Sequence, residues 1–166
     1  MILLLAAVGA TVAALVESTV VPYLKIGESQ PHLVFVLAVI VTAVGGVDRG
    51  LTWAFVGGLV LDSLTQRPLG STAFALILCV GATSIIARGL KRLRPIVPIV
   101  ATLLLSLVFS MSVFLTYAAL RGPIPAADPV SLLLPGAIYD VVVAVLVGPL
   151  AVAIADRRAD AERVDW

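Results

Sequence analysis

Gly57-Gly58-Leu59-Val60-Leu61-Asp62-Ser63-Leu64 ends an apolar run with two adjacent glycines and a carboxyl group. An ordinary lipid-facing segment would exclude both features, so the setting of this octapeptide decides the fold. Composition supplies that setting. The 166-residue chain is 61% hydrophobic and 13% charged, with a mean hydropathy of +1.15. As a soluble domain it would expose far too much apolar surface. The expected class is an all-α, polytopic integral membrane protein, because helices satisfy their own backbones where no water is available.

Working outward from the octapeptide, runs of roughly 17 to 25 apolar residues mark candidate spans. Six are expected: Ile2 to Leu24, His32 to Val47, Leu51 to Gln66, Leu69 to Ala87, Ile96 to Leu120 and Ser131 to Ala155. The third is short and polar at its far end. Gly-, Pro- and charge-rich connections separate them. This predicts a six-helix transmembrane bundle as one domain over residues 1–155, followed by a short charged cytoplasmic tail, 156–166, that frays from the last helix.

Placement of Lys and Arg sets the orientation. With the amino terminus inside, Arg49, Arg88, Lys91, Arg92, Arg94, Arg157, Arg158 and Arg163 face the cytoplasm, and only Lys25, Arg67 and Arg121 lie outside. Both termini are therefore expected in the cytoplasm. The net charge of +1 conceals this asymmetry, and no nucleic-acid partner is expected. The first span lacks a basic residue ahead of it and a small-residue cleavage site, so it reads as a retained helix. Tyr23, Trp53 and Tyr117 fall near span boundaries and read as interfacial anchors. Cys79 is the single cysteine and reads as a small core residue.

Three acids interrupt the spans: Glu17, Asp62 and Asp140. An ionised group at the bilayer centre costs about 2.5–3.5 kcal/mol on insertion scales, so such residues face protein or water. At about 1.5 Å per residue, Asp62 lies about 6 Å from Gln66, Glu17 about 10 Å from Leu24, and Asp140 about 13 Å from Ser131. The orientation puts all three in the outer half, where a shared polar pocket is conceivable.

Small residues accompany each acid at helical spacing. Gly50, Ala54, Gly58 and Asp62 form one row, Gly9, Ala13 and Glu17 a second, and Gly136, Asp140, Ala144 and Gly148 a third. Small side chains let helices approach closely in lipid, so each acid is expected on a packed face. Two roles stay open: hydrogen bonding within the bundle, or a site for a ligand, ion or partner. Gly50, Gly57, Gly58, Asp62 and Gly70 are the helix-packing or partner-binding candidates, and Glu17 and Asp140 the further intramembrane polar ones. Ser106 and Ser110 share a face, as do Ser112 and Thr116, and such hydroxyls usually bond within or between helices. His32, beside Pro31 at a span start, reads as interfacial, with no metal-ligand partner in its spacing.

The loop Arg88-Gly89-Leu90-Lys91-Arg92-Leu93-Arg94 is suited to anionic lipids, at about 1 kcal/mol per cation, or to a cytoplasmic partner. No zinc-protease, nucleophile-elbow or P-loop motif is present. Gly58-x-x-x-Asp62 matches the end of the CDP-alcohol phosphotransferase signature, but Val47-Asp48-Arg49-Gly50 does not fit its upstream segment, and Gln66 stands where its last Asp belongs. No enzyme activity, cofactor or metal is expected.

Pro31-His32-Leu33-Val34, Asp48-Arg49-Gly50 as a tight inner turn, Phe55-Val56-Gly57-Gly58-Leu59-Val60-Leu61-Asp62 and Pro68-Leu69-Gly70, in this order, resemble the signature of the MreD family. These are rod shape-determining membrane proteins of the bacterial plasma membrane. Two positions depart from the pattern: Val56 follows Phe55 ahead of the glycines, and Asp140 stands where an uncharged polar residue is expected. The resemblance implies a non-enzymatic scaffold of the wall-elongation complex. It also implies association with bitopic MreC and, through it, with a RodA-type glycosyltransferase and a class B penicillin-binding transpeptidase. A homo-oligomer stays open. The family's fold is similar to the S components of energy-coupling-factor transporters, so the alternative implied is a small-molecule binding subunit that uses Glu17, Asp62 and Asp140.

Overall fold

The computed structural model describes residues 1–24, 30–90, 95–121 and 129–164. Among them are six α-helices and no strand. Helix α1 spans Ile2–Thr19, α2 Leu33–Gly45, α3 Val47–Leu64, α4 Ser71–Gly89, α5 Val97–Arg121 and α6 Pro129–Val164.

Several boundaries differ from the apolar runs, each for a local reason. Helix α1 stops at Thr19 and gives way to a 3-10 turn, Val21–Leu24, which contains Pro22, a residue without the N–H that would continue the helix. Asp48-Arg49-Gly50 is not a turn. It is the first turn of α3, where Asp48 suits the positive end of the helix. The reversal from α2 to α3 is confined to Gly46, whose φ of +89° is open to glycine and costly for other residues. Helix α6 continues through Pro135 and Pro149 and into the charged segment as far as Val164.

Four helical stretches are long and apolar enough to cross a membrane: Ile2–Tyr23, Ser71–Gly89, Val97–Thr116 and Leu134–Arg157. Helix α2 has 13 residues, about 20 Å, and α3 carries Asp48, Arg49 and Asp62. Length and composition alone therefore do not qualify these two. Their position explains why they need not match lipid. Helix α2 packs against all five other helices, and Val34, Phe35, Val36, Ala38 and Val39 are shielded almost completely. Lipid-type side chains instead cover the flanks, with Leu4, Leu104, Leu146 and Leu150 more than half exposed.

Small residues bring α3 into this arrangement. A Cβ on Gly58 would collide with the backbone of Ala73 in α4, and one on Gly50 with the Thr42 hydroxyl of α2. At Gly57 it would lie 3.0 Å from Val34 and 3.3 Å from Ala10. Trp53 is buried rather than interfacial. Its ring lies against Gly9 of α1, and its indole N–H donates to the Val34 carbonyl at 3.2 Å. Tyr23 is 88% exposed, as an interfacial ring would be, whereas the side chain of Tyr117 lies outside the described residues.

Candidate functional site

Helix N-termini leave their first N–H groups without intrahelical partners. A Ser, Thr, Asp or Asn at the cap position usually accepts one of these bonds. Here α2 is capped by His32 and α4 by Gly70, and neither makes a side-chain capping bond. The missing acceptors come from other helices, and they are the three buried acids Glu17, Asp62 and Asp140.

Asp62, in the last turn of α3, is fully buried and reaches the start of α4. Its Oδ2 accepts the Gly70 N–H at 2.9 Å, the Thr72 N–H lies 3.1 Å from both carboxyl oxygens, and the Ser71 hydroxyl donates to Oδ1 at 3.2 Å. Two glycines make this reach possible. Gly58, one turn earlier, lets the Ala73 backbone approach α3, and Gly70, at φ +93°, turns the chain back over the carboxyl group.

Glu17 and Asp140 together close α2. Glu17 Oε2 accepts the Val34 N–H at 2.6 Å, and Asp140 Oδ1 accepts the His32 N–H at 2.7 Å. Asp140 Oδ2 lies 3.2 Å from His32 Nδ1 and receives the Ser106 hydroxyl of α5 at 2.5 Å. The His32 ring stands edge-on to Phe109, which stacks on Phe35 at 4.8 Å. Four helices, α1, α2, α5 and α6, thus meet at one end of α2. Asp62 has no partner in common with the other two acids.

All four residues of each of the Gly50-Ala54-Gly58-Asp62 and Gly136-Asp140-Ala144-Gly148 rows are buried. In the Gly9-Ala13-Glu17 row, Ala13 and Glu17 are buried and Gly9 is half-buried. Of the hydroxyls, Ser112 and Thr116 bond to the preceding turn. Ser106 serves Asp140 instead, and the Thr102 and Ser110 hydroxyls are buried without a partner among the described residues. Arg88 is exposed at the end of α4, and Lys91, Arg92 and Arg94 lie outside the described residues.

Although a serine, a histidine and an aspartate meet, their order does not suit acyl transfer. In a hydrolytic triad the imidazole stands between nucleophile and acid so that it can take the hydroxyl proton. Here Asp140 occupies the middle, and Ser106 is fully buried. Among the described residues no group of three His, Cys, Asp or Glu side chains could hold a metal ion. What the arrangement does chemically is accept backbone N–H groups where lipid offers no alternative.

A model of the family described as rod shape-determining protein MreD matches residues 1–152. The chain belongs to the MreD family. Membership implies a role in rod-shape determination, within a structural and shape-determining family, and four long apolar helices make this MreD chain a membrane protein. No curated protein and no solved structure matches it. The quoted MreD-like segments acquire a common meaning in the fold: Pro31 to Val34 is the start of α2, and Pro68 to Gly70 leads into α4. The Asp62 that ends the third segment closes α4. His32 and Ser106 were not singled out as Asp140 partners from sequence, since 108 residues separate His32 from Asp140, and such a distance leaves no spacing to read.

Proposed function

We propose that this protein is a non-enzymatic scaffold of the bacterial wall-elongation complex, seated in the plasma membrane as a six-helix bundle with both ends in the cytoplasm. It binds MreC and, through MreC, supports a RodA-type glycosyltransferase and a class B penicillin-binding transpeptidase. Exposed flanks of the outer helices offer the surface for MreC, and the basic segment from Arg88 to Arg94 meets anionic lipids at the cytoplasmic face.

The observation that carries this reading is the MreD match over residues 1–152. The geometry agrees with it: Glu17, Asp62 and Asp140 are all engaged as acceptors for other helices, as a rigid platform requires. Extraction in mild detergent should recover MreC with the tagged protein. Absence of MreC from a folded, monodisperse preparation would overturn the reading.

A further inference from the structure

Helix α1 packs on α2 and α3, and α6 packs on α2 and α5. Between α1 and α6 lies a cleft of about 690 Å³ whose floor is formed by Val41 and Val44 of α2. Its walls are apolar and partly of small residues, including Leu5, Ala6, Ala151 and Ile154. Among the described residues that line it, the charged one is Arg49, in the first turn of α3. Arg49 is half-buried and makes no hydrogen bond or ion pair among the described residues. The polar group one turn away, the Trp53 indole N–H, is a donor already given to Val34. Among the described residues that line it, the cleft therefore holds a cation and no anion.

We propose that this cleft binds one anionic phospholipid, with the headgroup phosphate on the Arg49 guanidinium and an acyl chain between α1 and α6. A guanidinium presents paired N–H donors that match phosphate geometry. Arg49 stands at the end of α3, which on the six-crossing reading proposed above is the depth at which headgroups meet hydrocarbon. Charge complementarity with the Arg49 guanidinium favours a lipid phosphate, and an acyl chain is thin enough to follow the apolar groove between the two helices. The site is separate from the basic segment beginning at Arg88.

Native mass spectrometry of the purified chain, with phosphatidylglycerol or phosphatidylcholine supplied in mixed micelles, tests the assignment without any partner protein. The wild-type chain should retain one phosphatidylglycerol in preference to phosphatidylcholine. Retention should fall about tenfold in R49Q and less in R49K, and it should be lost in A151W, which fills the cleft. R67Q, which removes a cation beyond the opposite end of α3, should leave it unchanged. Equal retention of the two lipids by the wild-type chain overturns the proposal even if no variant folds. So does undiminished phosphatidylglycerol in R49Q, an equal loss in R67Q, or an R49Q change that releases a co-purifying membrane protein while lipid retention stays constant.

Discussion

Asp62 shows how a single buried carboxyl group can be structural. Its two oxygens take two backbone N–H groups and a hydroxyl at the start of α4, and of these donors Ser71 and Thr72 are buried from water. Asp62→Ala should cost about 2–4 kcal/mol, combining a lost cap with buried unsatisfied donors. Asp62→Asn keeps one oxygen but turns an amide N–H₂ toward other donors, and should cost about half as much. Denaturant titration in detergent measures both, and wild-type stability for Asp62→Ala would refute the capping role. The sequence revealed that Glu17, Asp62 and Asp140 sit on packed faces, because each follows small residues at a spacing of four. It did not reveal what they bind. A carboxyl group that caps another helix is specified by how two elements meet, and that contact has no periodicity along the chain.

At the scale of the element, glycine separates close approach from mere abundance. A Cβ on Gly58 would meet the Ala73 backbone, whereas at Gly81, in the middle of α4, it would meet nothing within 4 Å. Gly58→Ala should therefore force α3 and α4 apart and cost about 1–3 kcal/mol, the range for overpacking, and Gly58→Leu should reduce folded yield sharply. Gly81→Ala should be neutral or stabilise by about 0.5–1 kcal/mol through helix propensity. Melting temperatures of the two alanine variants in one detergent provide the comparison. Equal behaviour would mean that the α3–α4 seam is looser than its geometry. The existence of six helices was legible, since apolar runs and Gly/Pro-rich connections mark them plainly. Their ends were less so. Asp48-Arg49-Gly50 carries the composition of a turn, yet one left-handed residue, Gly46, suffices to reverse the chain and lets the charged triplet start α3.

For the whole molecule, the short pair α2 and α3 poses a topological question that parity cannot answer. Six full crossings put both chain ends on one side, but so would four crossings plus a re-entrant α2–α3 hairpin that never reaches the far face. The geometry favours full passage. Arg49, two residues into α3, lines the same cleft as Ile2 and Ala155, so the α2–α3 reversal lies level with the start of α1 and the far part of α6. Helix α3, at 18 residues, is about 27 Å long, close to the roughly 30 Å of hydrocarbon. Although α2 is shorter, its wrapping by five helices relieves it of meeting lipid along its length. Asp48 is exposed beside this reversal, and Cys79 is 1% exposed, so it can remain without giving a background signal. Asp48→Cys should then react with a membrane-impermeant maleimide only from the side that also exposes a tag on the amino terminus. Labelling from the opposite side, or none until detergent is added, would replace the six-crossing bundle with a hairpin that stops short.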